Sequence, residues 1–291
     1  MRSLFIAGLG GGTGSGGAPV VAKYLQRIYT EPVYGLGILP GSDEGGIYTL
    51  NAARSFKTFV DEVDNLLVFD NDSWRQSGES VAEGYTSLNR ELVSQFGLLF
   101  RAGEIEANGD VAESVVDSSE IINTLASGGI TTLGYAESQL QDSEGGDDGL
   151  LSSFSQSEPE VNTTESINRV TSLVRQATLG RLTLPCEVGS TQRALVVTGG
   201  PPAHLSRKGI ERSRKWLEEE TDTMEVRGGD YPYSDSGVVS VAVVLSGVTN
   251  IPRIKELQQV AVEAQDNIEE IKQEQQLEDD LMNNEELDSL F

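Results

Sequence analysis

Residues 8–19 read GLGGGTGSGGAP, seven glycines in twelve positions. They follow the short apolar run SLFIA (3–7) and precede APVVAKYLQRIY (18–29), which has a helical apolar pattern and carries Pro19 near its first turn. A buried strand, a glycine-rich turn and a helix in that order point to the α/β class. Glycine lacks a Cβ and reaches positive φ, so successive backbone N–H groups can turn onto one anion. The following helix adds its free N–H groups and positive dipole end, and Thr13 and Ser15 add hydroxyls. The combination favours a phosphate. Spacing leaves the class of site open. Gly12-x-Gly14-x-x-Gly17 meets the dinucleotide fingerprint, but that pattern arises easily in so glycine-rich a run, and no GK[ST] follows to make a P-loop. A tight turn that holds no ligand would also use glycine.

The next segments continue the alternation. VYGLGIL (33–39) and NLLVFD (65–70) read as strands, with the loop GSDEGG (41–46) and the helical YTLNAARSFKTFVDEV between them. Such spacing builds βαβ units and a parallel sheet. Residues 79–101 place Val81, Tyr85, Leu88, Leu92, Phe96 and Leu99 at intervals of three and four, one apolar face of a long helix. The strand GITTLGYA (129–136) follows, then residues 137–163, rich in Ser, Glu, Asp and Gly, which read as an exposed, mobile insertion. Beyond it come a helix (ESINRVTSLVRQATL), a strand (RALVVTGG), a helix (RKGIERSRKWLEEET) and two strands (TMEVRGG and GVVSVAVVLSGV). That order suits a smaller α+β domain packed through the long helix. Residues 251–277 read as a charged helix leading to an acidic tail that ends EELDSLF, where Leu287, Leu290 and Phe291 could form a small docking motif for an adaptor.

Composition excludes several functions. The 291 residues carry a formal charge of −25, from 46 acids and 21 bases, so nucleic acid and anionic membranes are poor partners. Six of the bases are lysine, and an acidic, lysine-poor folded chain suits concentrated salt, where screening removes self-repulsion. A single cysteine, Cys186, and a single histidine, His204, exclude an internal disulfide and a Cys/His metal cluster. His204 follows Pro201 and Pro202 and reads as a surface residue. No apolar run is long enough to span a bilayer, and the expected location is the cytoplasm.

GGGTGSGG, from Gly10 to Gly17, resembles the signature loop of the tubulin/FtsZ superfamily. The segments ILPGSDEGGIYTLNAARSFKTFVDEVDNLLVFDND and RKGIERSRKWLEEET are most similar to its archaeal tubulin-like branch, CetZ, which is associated with cell shape. The likeness covers nearly the whole chain except the insertion and the tail. It implies a parallel-sheet GTPase domain joined by a long central helix to a smaller α+β domain. The expected division is 1–102 for the partial GTP-binding domain with the central helix, 103–128 for a catalytic loop and helix, 129–250 for the C-terminal domain, and 251–291 for helix and tail.

Carried over position by position, the resemblance implies that Gly10, Gly11, Gly12, Thr13, Gly14 and Ser15 bind the phosphates of GTP or GDP. It implies that Glu44 contacts the ribose, that Asn71 reads guanine, that Tyr85 stacks on the base and that Asn89 hydrogen-bonds its edge. Mg2+ would come bound through the nucleotide. Tyr85 and Asn89 lie four apart, on one helix face, so one ligand can touch both. Asp117 and Glu120 stand three apart at the start of a helix, where acids commonly favour the dipole. In the family these positions enter the neighbouring subunit's nucleotide site and help water attack the γ-phosphate, so the partner implied is a second copy in a head-to-tail filament, or a full-length relative.

Two departures stand out. Val115 occupies a place where FtsZ usually has asparagine, which points to slower or differently tuned hydrolysis. Family members also reach the signature loop only after several βα units, whereas here it starts at residue 10, so the chain reads as truncated at its N-terminus, with one wall of the nucleotide site lost and core surface exposed. Beside a GTP-hydrolysing polymer subunit stand two alternatives from other classes. A Rossmann-like oxidoreductase would need a dinucleotide site with an acid near the end of the second strand; that strand runs into PGSDEGG, and no hydride-transfer constellation follows. A scaffold that assembles without hydrolysis, or regulates a full-length relative, is the stronger alternative.

Overall fold

A computed structural model describes residues 3–75, 81–102, 116–140, 163–233 and 237–282. Among these residues seven strands form one sheet in the order β1-β2-β3-β4-β7-β5-β6. β1 (Ser3–Gly8), β2 (Val33–Leu39) and β3 (Asn65–Asp70) are parallel, connected by α1 (Gly12–Ile28) and α2 (Gly46–Asp61). The short α3 (Asn71–Trp74) follows β3, and α4 (Val81–Ala102) is the long helix. After α5 (Ser118–Leu125) come β4 (Ile130–Gln139), α6 (Thr163–Leu179), β5 (Arg193–Gly200), α7 (Arg207–Thr221), β6 (Val226–Pro232), β7 (Val238–Ser246) and α8 (Pro252–Met282). β7 lies between β4 and β5 and runs antiparallel to both, while β5 and β6 are parallel.

Alternation along the strands divides the core into two layers. Leu66 and Val68 of β3 point into one layer with Ala22 of α1, Phe56 and Phe59 of α2, Val170 of α6 and Leu217 of α7. Leu67 and Phe69 point into the other, with Leu88, Phe96 and Leu99 of α4 and Leu125 of α5. The periodicity of 79–101 therefore places the long helix across one face of the sheet, where each fully buried side chain such as Phe96 or Leu99 contributes about 1.5–3 kcal/mol. β1 forms the sheet edge, and Ile6, Tyr24 and Ile28 are exposed beside it. Among the described residues no helix is long and apolar enough to cross a membrane.

Several boundaries differ from the sequence reading. α1 starts at Gly12, so half of the glycine run is helix and Pro19 is its eighth residue rather than part of its first turn. The cause is packing: a Cβ at position 14 would stand 2.2 Å from the Gly8 carbonyl oxygen, and only glycine lets the helix start so close to the strand it leaves. β4 continues to Gln139, three residues into the stretch read as an insertion, because β7 pairs along its whole length. At the other end Thr163 already begins α6, while residues 141–162, most of that insertion, lie outside the described residues, as do Val115 and the terminal EELDSLF. β6 begins at Val226, after the left-handed Asp222 that ends α7, and α8 reaches Met282.

The sheet runs unbroken from β1 to β6, but the step from β3 to β4 is short. Only Leu66↔Ile130 and Leu67↔Thr131 pair there. Asn65 reinforces it: its Nδ2 donates at 3.0 Å to the carbonyls of Leu125 and Gly128 and to Ser246 Oγ, and Ser246 Oγ also meets Thr131 Oγ1 at 2.6 Å.

Candidate functional site

Three parallel strands ending side by side bring their following loops to one rim, the usual place for a ligand in such sheets. β1 gives way to Gly10 and Gly11, β2 to Pro40, Gly41 and a 3-10 turn at Ser42–Glu44, and β3 to Asn71 at the start of α3. The first half of α4 closes the opposite side. These segments enclose a cleft of about 250 Å³ lined by Gly8, Gly10, Gly11, Glu44, Asn71, Tyr85 and Asn89 above an apolar floor of Ile38, Phe69, Leu88 and Leu92. Six of the residues singled out in the sequence (Gly10, Gly11, Glu44, Asn71, Tyr85 and Asn89), far apart along the chain, meet here.

The glycine end is built to receive an anion. The first backbone bond of α1 runs from Ser15 N–H to the Gly11 carbonyl at 3.1 Å, so the amides of Gly12, Thr13 and Gly14 precede the helical ladder. No side chain caps this end, and no acid lies in its first turn. Beside Gly11 and Gly12 a Cβ would meet nothing within 4 Å, leaving space against the backbone. The Ser15 hydroxyl donates to the Gly11 carbonyl at 2.5 Å. Asn51 of α2 fixes the turn, its Nδ2 donating to the Gly10 carbonyl at 3.0 Å.

The other end is polar and tied together. Glu44 Oε1 accepts from Gly41 N–H at 2.7 Å and from Asn71 Nδ2 at 3.3 Å. Asn71 is buried, whereas the Tyr85 ring is 41% exposed at the cleft mouth. Partial burial and the neighbouring Glu44 carboxylate push the Tyr85 phenol above its ordinary value, so it stays a neutral donor. Sequence reasoning missed Tyr48, which packs beside Gly10, and Asn51. Both sit on α2 as ordinary helix residues, with no motif to mark them.

Behind the rim lies a buried charge cluster that the sequence did not reveal. Arg253 of α8 places Nε 3.5 Å from Asp70 Oδ1 and Nη2 3.0 Å from Asp72 Oδ2. Burial pushes the Asp70 carboxyl up to about 6, opposed by the Arg253 charge and by the 2.9 Å bond from Ser73 Oγ, while the Asp72 charge pushes it further up. The native state thus holds the Asp70 proton more tightly than the unfolded chain does. Stability from this group is greatest below the unfolded value near 4 and is lost as pH rises through about 6. Asp70→Asn mimics the protonated form, so its stability relative to wild type should improve by about 2.5 kcal/mol between about pH 4 and pH 7. Parallel urea titrations check this; a difference that stays constant with pH rules it out.

Asp117 and Glu120 lie elsewhere. Asp117 is the N-cap of α5, its Oδ1 accepting from Ser119 N–H at 2.7 Å and Glu120 N–H at 3.0 Å. Glu120 Oε2 meets Arg227 Nη1 of β6 at 3.2 Å, with both side chains more than a third exposed. Ser118 and Ile121 of α5 share a hollow with Ser3 and Leu4, at the start of β1. The acids therefore stand toward the amino ends of the parallel strands, and the cleft at their carboxyl ends. Within one copy the two groups do not meet. Among the described residues no group of three His, Cys, Asp or Glu side chains is placed to hold a metal ion.

Comparison with known proteins agrees with this architecture. Residues 1–79 match the tubulin/FtsZ family GTPase domain, and residues 78–263 match the C-terminal domain of tubulin-like CetZ. The chain is 67% identical over 273 residues to tubulin-like protein CetZ1 of Haloferax volcanii, covering 93% of this chain and 69% of that protein. The solved GDP-bound monomer of CetZ1 from the same organism superposes with a TM-score of 0.77 at 61% identity, over 91% of this chain and 70% of that one. The GTPγS-bound protofilament of CetZ2 from Haloferax volcanii gives 0.76 at 44% identity, over 92% and 71%. The acidic, lysine-poor composition agrees with relatives from a halophilic archaeon. With the glycine turn, the seven-stranded sheet and both family matches in agreement, this chain belongs to the tubulin-like CetZ family.

Proposed function

We propose that this chain is a GTP-binding and GTP-hydrolysing subunit of a cytoplasmic, tubulin-like polymer that controls cell shape. The observation that carries the reading is the convergence of Gly10, Gly11, Glu44, Asn71, Tyr85 and Asn89 on one cleft, with phosphate-type donors at one end and amide and aromatic groups at the other. In this reading residues 10–15 hold the phosphates, Glu44 the ribose, and Asn71, Tyr85 and Asn89 the guanine. Magnesium would be carried on the nucleotide's own phosphates. The relative solved with GDP and the one solved as a GTPγS-bound protofilament support the nucleotide and the self-association.

Hydrolysis is assigned to Asp117 and Glu120 acting on the neighbouring copy. Their separation from the cleft supports this, since head-to-tail stacking along the strand direction would bring one copy's acids to the next copy's phosphates. Glu120, exposed at the end of its bond to Arg227, is the water-orienting group, and Asp117 holds the helix start that presents it. A second reading, nucleotide-dependent assembly without hydrolysis or regulation of a full-length relative, is favoured by the engagement of Asp117 as a cap. The primary test is equilibrium binding of a fluorescent GTP analogue in multimolar KCl, with ATP as competitor. Saturable binding displaced by GTP and not by ATP is the expected result; a folded chain that binds neither overturns the reading.

A further inference from the structure

Both segments that carry the base and ribose end of the cleft rest on one side chain from the far end of the chain. Arg253 stands in the first turn of α8, its side chain only 12% exposed. Nη2 donates to the Pro40 carbonyl at 3.0 Å and pairs with Asp72 Oδ2 at 3.0 Å, Nε faces Asp70, and Nη1 pairs with Glu256 at 3.2 Å. The other oxygen of Asp72, Oδ1, accepts from Ser42 N–H at 2.7 Å. One planar fork thus joins the 40–44 turn, which presents Glu44, to the 70–72 turn, which presents Asn71. A fork with donors at fixed angles can hold two acceptor groups in register in a way that a point charge cannot.

We propose that Arg253 is the positioning residue for nucleotide recognition, setting the spacing of Glu44 and Asn71 and thereby linking helix α8 to the base and ribose end of the cleft. This rests on the nucleotide-binding reading above and adds to it a residue that touches no part of the ligand. The glycine turn meets Arg253 only indirectly, through the Pro40 ring beside Gly10, and its backbone is tied from α2 by Asn51. Loss of Arg253 therefore weakens the nucleoside contacts and leaves the phosphate contacts in place. Because linkage is reciprocal, whatever displaces the start of α8 lowers nucleotide affinity, and bound nucleotide holds α8 down.

The test measures two ligands on the same proteins in concentrated KCl: a fluorescent GTP analogue, and inorganic tripolyphosphate as its competitor. Arg253→Met should weaken the analogue about tenfold while changing the tripolyphosphate constant less than about twofold. Arg253→Lys should recover part of the loss, since an ammonium reaches one carboxylate but cannot bridge both turns. Asp72→Asn, a near-isosteric change, should weaken the analogue in the same selective way and guards against a folding defect in the arginine variants. Equal loss for both ligands would make Arg253 a general structural residue, and no loss for either would remove the linkage; each overturns the inference. A folded wild-type chain that binds tripolyphosphate but no GTP analogue overturns instead the functional reading on which it rests.

Discussion

Glu120→Gln should lower GTP turnover by about 10²–10³-fold while leaving nucleotide affinity within about twofold of wild type. The amide keeps the size and polarity of the side chain but cannot take a proton or accept from water as a carboxylate does. Its effect on binding should be small because the residue stands away from the cleft proposed to hold the nucleotide. Arg227, which meets Glu120 at 3.2 Å, can still be contacted by the amide oxygen, so the fold around α5 should persist. Turnover should also rise steeply with protein concentration in the wild type, since the proposed mechanism draws its reacting groups from two copies. Steady-state phosphate release across a concentration series, with analogue binding on the same samples, checks both parts. Turnover that is already negligible in the wild type, with assembly intact, would establish the non-hydrolysing scaffold instead.

Gly14→Ala should have the largest structural effect of any methyl addition in the glycine turn. The new Cβ would be placed 2.2 Å from the Gly8 carbonyl oxygen, a backbone atom that cannot swing aside. Relief requires the start of α1 to move off β1, and those first-turn amides are the proposed phosphate donors. The expected outcome is a loss of about 2–3 kcal/mol in stability, net of the small helix-propensity gain of alanine, together with at least tenfold weaker nucleotide binding. Gly16→Ala is the internal control. It lies in the same helix with nothing within 4 Å of its Cβ, and should stabilise by up to about 1 kcal/mol. Denaturant melts of the two variants decide the matter: equal behaviour would mean that the close approach of α1 to β1 has no energetic weight.

How far the sequence revealed this molecule depended on how local each cause was. β2 and β3 were legible to the residue, because a largely apolar run bounded by proline or polar residues describes a strand buried on both faces. α4 was legible because its buried positions repeat every three or four residues. The start of α1 was not, because a glycine run has no propensity for helix and only contact with the Gly8 carbonyl selects it. The length of β4 was hidden as well, since Glu137 and Gln139 look like loop residues until β7 pairs with them. In the site, Glu44, Asn71, Tyr85 and Asn89 were nominated through the family resemblance, and their shared cleft supports the nomination. Arg253 was invisible. It has the appearance of one more charged residue on a charged helix, and its partners Pro40, Asp70 and Asp72 lie in another half of the chain.

The position of β7 sets an order on how this sheet can be completed during synthesis. β5 and β6 can pair as soon as α7 links them, and β1 to β3 as soon as α2 has formed. β4 and β5, however, each present a bare edge until β7, the last of the described strands in chain order, slides between them. For more than a hundred residues of elongation the nascent protein thus carries open strand edges of the kind that recruit neighbouring chains. The strand that closes the gap, VVSVAVVLS, is itself almost wholly apolar. The 34 acids and 18 bases that precede β7, a net charge of −16, then act first on the unfinished protein, holding emerging copies apart while the gap stays open. Concentrated salt weakens that repulsion, which places a premium on rapid insertion of the final strand.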